Sequence, residues 1–201
     1  MADSHQTSMG ITPELRETPE GLSLVGNDME LHVDFTRTLP RLAPHKLSRE
    51  LLVRAAKVKG VAHPTAIDDT AGLGEDTLLL AAAGFSVTAF ESNATIAALL
   101  QDGLLRAAKH PDLADIVERV TVIEADSVEV LSRGSLHADV VYLDPMFPER
   151  TKSAAVKKKF QLLHQLEQPC DNPEALLQAA LRAQPRKVVI KRPLQGPYLA
   201  D

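Results

Sequence analysis

A single cysteine, Cys170, in 201 residues excludes an internal disulfide and leaves no thiol cluster to hold a structural zinc. Its neighbours, Gln168, Pro169, Asp171, Asn172 and Pro173, read as a loop. The seven histidines, His45, His63, His110 and His164 among them, show no paired metal-ligand spacing, so no metal is expected. Long apolar runs are missing too: none approaches the roughly 20 residues needed to span a bilayer. The polar start, Ala2-Asp3-Ser4-His5, lacks the basic-then-apolar order of a signal peptide, so a cytoplasmic address with no membrane partner is expected. Nor is there an excess of positive charge. A net charge of −5 argues against a surface that wraps nucleic acid throughout, and confines any such contact to the local basic stretches at residues 37–54, 150–159 and 182–192.

A content of 44% hydrophobic and 24% charged residues is that of an ordinary globular protein, so fold class has to come from pattern. Residues 1–20 carry little periodicity and read as a flexible leader. Residues 22–25 and 29–35 flank Gly26-Asn27-Asp28, a turn-prone cluster that predicts a β-hairpin. The basic segment 37–46 is broken by Pro40 and Pro44, and Ser48 then stands where it can cap a helix with an apolar stripe of Leu51, Leu52, Ala55 and Ala56. Hairpin and helix together are expected to form a small appendage over residues 21–60.

From residue 61 to residue 201 the pattern is that of a core domain. Strand-like runs at 66–68, 87–90, 121–124, 140–143 and 187–190 alternate with helix-like stretches at 76–83, 95–108, 128–131 and 154–166. A further helix starts at Asn172-Pro173, with Asn as N-cap and Pro at the first turn, and Gly84 closes the helix at 76–83. This β-α alternation predicts an α/β protein with a parallel sheet and helices on both faces, a Rossmann-like core.

Ligands of such sheets sit at the carboxyl ends of the strands. Asp68 and the turn Gly72-Leu73-Gly74 follow the first core strand, where glycine lets the backbone approach a ligand and helix N–H groups point at it. Glu91 follows the second, about 20 residues on, where an acid accepts the hydroxyls of a nucleoside ribose. Asp126-Ser127 follows the third, within reach of an adenine edge. Taken singly, the glycines read equally well as tight-turn residues and Glu91 as a solvated surface acid. Three acids in succession suit a sulfonium bearing an amino acid better than a pyrophosphate, which favours S-adenosylmethionine over NAD. A nicotinamide-dependent oxidoreductase on the same fold would need a third glycine near Leu78, where none stands.

After the fourth strand comes Asp144-Pro145-Met146-Phe147-Pro148, which resembles the Asp/Asn-Pro-Pro-Tyr/Phe motif of amino-methyltransferases. The exocyclic amine of a base is conjugated to its ring, so its lone pair is a poor nucleophile. Accepting its two hydrogens, one on the Asp144 carboxylate and one on the Pro145 carbonyl, rotates the lone pair toward the methyl group. Phe147 can stack on the target base; the alternative is a proline-rich turn with Phe147 in the core.

Residues 68–76, Glu91, residues 144–148, Lys152-Ser153-Ala154, Val156-Lys157-Lys158 and residues 187–193 together resemble the ribosomal RNA small subunit methyltransferase J family. The resemblance covers most of residues 33–193. It implies S-adenosylmethionine as donor, guanine N2 as acceptor, and 16S rRNA or the small ribosomal subunit as partner. By matching position it implies cofactor contacts at Glu75, Asp76, Glu91, Ser92, Asp126, Ser127 and Asp144. RNA contacts are expected from Arg37, Arg41 and Lys46 and from Lys157, Lys158 and Lys159, a run that otherwise reads as a solvated helix face. A Rossmann-like methyltransferase carries a terminal strand pair beyond its fifth core strand, and this sequence is expected to lack it. Methylation of another base or of a protein amide, and a ribosome-associated RNA-binding role without catalysis, are the competing expectations.

Overall fold

A computed structural model of the chain describes residues 12–145, 162–163, 166 and 172–192. Residues 14–18, expected to fray with the leader, instead form strand β1 (Glu14–Thr18), antiparallel to β2 (Gly21–Gly26). Its side chains are almost all exposed, so main-chain hydrogen bonds hold it and no apolar alternation marks it in the sequence. The predicted hairpin is present: Asn27 and Asp28, with φ of 51° and 56°, join β2 to β3 (Met29–His32) in the left-handed conformation that a two-residue hairpin turn demands.

A 3₁₀ turn (Phe35–Thr38) then leads into α1 (Leu39–Leu42), α2 (Pro44–Leu47) and α3 (Leu51–Ala56). Ser48 does not cap α3. Pro44 starts the one-turn α2, which places Ser48 at its C-terminus with its N–H on the Pro44 carbonyl, and Glu50 precedes α3 instead. Leu51 is 78% exposed and belongs to no apolar stripe.

The core domain follows as β4 (Thr65–Asp68), α4 (Glu75–Ala82), β5 (Ser86–Glu91), α5 (Ala94–Ala107), α6 (Ala114–Val117), β6 (Val120–Glu124), α7 (Ser127–Ser132), β7 (Val140–Leu143), α8 (Pro173–Arg182) and β8 (Lys187–Ile190). The strands form one parallel sheet in the order β6-β5-β4-β7-β8. The single-turn α6 was not predicted, being too short for periodicity, and most of the helix predicted at 154–166 lies outside the described residues. Asn93, Asp126 and Asn172 each accept N–H bonds from the first turn of the helix they precede, about 1 kcal/mol apiece.

Strand residues alternate between two apolar layers. Ala66, Val87, Val140 and Tyr142 pack with Leu80 and Phe85, and Ile67, Phe90, Val141 and Leu143 pack with Leu131, Leu176 and Ala180. The N-terminal hairpin joins this core: Leu24, Leu31, Val33 and Phe35 share a cluster with Leu99 and Leu100 of α5. Asp102 accepts the Leu22 N–H at 3.1 Å, and a Cβ on Gly103 would fall 2.4 Å from Val33 Cγ1. No helix among the described residues is long and apolar enough to cross a membrane.

Candidate active site

The strand order reverses between β4 and β7, so the carboxyl ends of these neighbours, carrying Asp68 and Asp144, frame the crevice where such sheets bind ligands. Two hydrogen bonds from main-chain N–H groups hold the frame together. Asp69 donates its N–H to the Tyr142 carbonyl at 3.0 Å, and Asp144 donates its N–H to Thr70 Oγ1 at 2.9 Å.

Asp68, expected to touch a cofactor, is fully buried. Its Oδ2 accepts the Thr77 hydroxyl at 2.5 Å and its Oδ1 the Thr70 N–H at 3.4 Å, so it shapes the glycine turn from beneath. Burial raises its pKa to about 7 against the pull of the Thr77 hydrogen bond. The two glycines differ. Gly72, at φ 55°, has nothing within 4 Å of where a Cβ would stand, whereas a Cβ on Gly74, at φ 81°, would lie 2.4 Å from Leu100 Cδ1. Gly72 thus borders open space, and Gly74 permits close packing of the turn on α5.

Glu91 closes the turn from the β5 side, accepting the Gly72 N–H on Oε2 at 3.0 Å and the Asn93 N–H on Oε1 at 2.8 Å. Burial raises its pKa, tempered by N–H groups of Asn93, Gly72 and Ser92. Ser92 is exposed beside it. At the end of β6, Asp126 is exposed and caps α7 through Oδ1, while Ser127 is buried. Asp69, unremarked in the sequence, has 3% of its surface exposed and no hydrogen bond of ordinary geometry to either carboxylate oxygen among the described residues. Burial lifts its pKa to about 7, with the Ser127 hydroxyl acting to lower it and the Asp126 charge to raise it.

On the other side of the crevice, Lys191 follows β8 and extends Nζ to Asp144 Oδ2 and to Asp76 Oδ2, both at 2.7 Å. The Tyr142 hydroxyl donates to the same Asp76 oxygen at 2.6 Å. Burial raises the Asp144 pKa, opposed by the hydrogen bond and charge of Lys191. Burial disfavours the charge on Lys191, but hydrogen bonds to Asp144 and Asp76 outweigh it and raise its pKa. Reading strand ends for acids alone passed over Lys191, although it occupies the same position after β8 that Asp144 occupies after β7. Glu75 is exposed and pairs with Arg41 at 3.4 Å. Arg41, expected on RNA, also holds Glu50 through two hydrogen bonds of 2.9 and 3.1 Å. Arg37 is exposed and pairs with Asp34; Lys46 is exposed. Phe147, Lys157, Lys158 and Lys159 lie outside the described residues.

A parallel sheet in this order, with acids after its first four strands and an Asp-Pro step at the switch point, defines an S-adenosylmethionine-dependent methyltransferase of class I. A family model described as "Putative SAM-dependent methyltransferase" matches residues 6–201. A ribosomal RNA small subunit methyltransferase J from Neisseria gonorrhoeae is 41% identical over 182 residues, which is 89% of this chain and 72% of that protein. Its counterpart from Nitrosococcus oceani is 46% identical over 156 residues, 76% of this chain and 61% of that protein. The crystal structure of a SAM-dependent methyltransferase from Neisseria gonorrhoeae superposes with a TM-score of 0.74 at 32% identity, covering 98% of this chain and 78% of that one. The chain belongs to the ribosomal RNA small subunit methyltransferase J family, and S-adenosylmethionine is its methyl donor. The nicotinamide alternative falls with this result.

Proposed function

We propose that the chain methylates N2 of a guanine in 16S rRNA, in the cytoplasm, with Asp144 and the Pro145 carbonyl as acceptors for the two amine hydrogens. The observation that carries this reading is the state of Asp144: Lys191 takes Oδ2, and Oδ1 has no partner among the described residues. A carboxylate fixed through one oxygen offers the other in a defined direction, which is what turning an amine lone pair out of conjugation requires. The same Oδ1 can take the proton that an amine sheds on alkylation, and the raised pKa of Asp144 suits an acceptor better than an ordinary carboxylate would.

The residues around Gly72 fit the donor. The space beside Gly72 is one that a Cβ would enter, and Glu91, which accepts the Gly72 and Asn93 N–H groups on separate oxygens, keeps lone-pair capacity for a ribose hydroxyl. Glu91, Ser92, Asp126, Ser127 and the Gly72 backbone would hold it, with Asp68 and Gly74 shaping the turn and Asp76 anchored on the far wall. When bound, S-adenosylmethionine supplies an electrophilic methyl on a positively charged sulfur, a charge that this acidic rim favours.

Guanine N2 lies in the minor groove of a duplex, so access to both hydrogens calls for a looped or single-stranded segment with the base splayed onto Phe147. Arg37, Lys46 and the Lys157, Lys158, Lys159 run are the groups for its phosphates, whereas Arg41, tied to Glu50 and Glu75, braces the N-terminal segment against α4. Affinity for RNA should then fall with salt, and charge reversal at the three lysines should weaken RNA binding without changing donor affinity. Mass-spectrometric mapping of rRNA from cells with and without the protein tests the reading. One N2-methylguanosine in the small-subunit rRNA should disappear with it; an unchanged methylation map would refute the reading.

A further inference from the structure

One ammonium group bridges carboxylates from two different parts of the fold: Asp76 in the first turn of α4 and Asp144 after β7. Its position is set by the sheet, because the Lys191 N–H continues the β7–β8 ladder onto the Leu143 carbonyl at 2.8 Å, which brings the side chain over the end of β7. Without that ammonium, Asp76 and Asp144 would face each other as a like-charge pair, and Asp144 is already half-buried. The Tyr142 hydroxyl shields only Asp76. Among the described residues, the charged and titratable groups that act on Asp144 are thus Lys191 from the end of β8 and Asp76 from α4, with Tyr142 of β7 close by and the buried Asp68 of β4 acting on Tyr142.

We propose that Lys191 is a positioning residue for methyl transfer: it pins one oxygen of Asp144 and keeps that carboxylate ionised, so that the other oxygen faces the incoming amine as an acceptor. The proposal rests on the reading of Asp144 as amine acceptor given above. Lys191 acts through Asp144 and needs no contact with substrate. A protonated Asp144 has lost part of its accepting capacity, so removing Lys191 should show most at neutral pH and fade as the pH rises. Burial of Asp144 and repulsion from Asp76 both push in the same direction once the ammonium is gone.

The test compares wild type, Lys191→Met and Lys191→Arg, and the 57% exposure of the lysine side chain makes both variants compatible with the fold. In Lys191→Met the acidic limb of the pH profile for methyl transfer to rRNA should move up by about 1–3 pH units, as expected for loss of an adjacent opposite charge. The lost kcat should return at high pH, and Lys191→Arg should restore most of the wild-type profile. A second measurement requires no substrate: carbon-13 NMR of the Asp144 carboxylate in the RNA-free protein should show it titrating at higher pH in Lys191→Met than in wild type. If Asp144 titrates at the same pH in both proteins, or the two pH profiles superimpose, the proposal is overturned. Absence of rRNA methylation by the wild type would strike the substrate reading alone, and the carboxylate titration would still decide the role of Lys191.

Discussion

On the β7–β8 side of the switch point, Asp76 and Asp144 share a lysine and Asp76 also accepts a tyrosine hydroxyl, whereas on the β5–β6 side Glu91, Asp69 and Asp126 meet no cationic side chain among the described residues. The difference separates two uses of an acid. A carboxylate already neutralised by a fixed ammonium is locked in direction and serves geometry. Glu91 and Asp126, satisfied only by backbone N–H groups, keep spare lone pairs for the hydroxyls and positive charge of a ligand. Methyl transfer to an amine needs both, one wall that orients the acceptor nitrogen and one that holds a cationic donor.

The sharpest break in this comparison should come from Asp144→Ala, which removes the oriented acceptor. Losing one positioned polar group of this kind costs on the order of 10²-fold in turnover or more. Donor affinity by calorimetry and the thermal midpoint should stay near wild type, because Asp144 contributes no apolar packing. Glu91→Ala probes the opposite wall. Loss of charge-assisted hydrogen bonds, about 1.5–3 kcal/mol each, should weaken S-adenosylmethionine binding by roughly 10–100-fold in calorimetry. Turnover at saturating donor should change far less, since a ribose contact is made equally in ground and transition states.

The two glycines sharpen the contrast between ligand space and core. Gly74→Ala would drive a Cβ to 2.4 Å from Leu100 Cδ1 and should lower stability by about 1–3 kcal/mol, a drop of about 2–4 °C per kcal/mol in a thermal melt. Gly72→Ala meets open space and should cost only the left-handed backbone penalty of about 1–2 kcal/mol, yet it should impair donor binding.

The smallest effect concerns Asp69, whose buried carboxylate has no hydrogen bond of ordinary geometry among the described residues. Folding raises its pKa from 3.8 to about 7, so between these values the native state holds a proton that the unfolded chain has released. Stability from this group is therefore lost as pH rises from about 4 to about 7 and stays low above that. Asp68 behaves in the same way. Asp69→Ala should flatten part of this decline and raise the melting temperature at pH 8, by about 2–4 °C for each kcal/mol recovered. An unchanged pH dependence would mean that Asp69 has found a partner.

Most of the fold was legible because each core strand is a short β-branched or apolar run bounded by a turn or a cap: Gly84 and Asn172 stand where the sequence puts the element ends, while Asn93 and Asp126 cap helices that begin one residue before the starts read at 95 and 128. β1 was not, since an exposed strand held by backbone pairing leaves no apolar signature. Ser48 misled because Pro44 claims the preceding residues for its own helical turn. Acids at strand ends pointed to the site, yet their roles depend on which way each side chain turns. Asp68 and Asp69 are adjacent and chemically identical, but one is satisfied by Thr77 and the other by nothing of ordinary geometry among the described residues. The pairing of Lys191 with Asp76 joins residues 115 positions apart and is a product of sheet register alone.

The most direct test is to incubate the purified protein with methyl-labelled S-adenosylmethionine and small-subunit rRNA, digest the RNA to nucleosides and identify the one that carries label. The label should appear in N2-methylguanosine, and it should vanish with Asp144→Ala while donor binding persists. Label found only in N6-methyladenosine, or in protein amide with none in rRNA, would contradict the account.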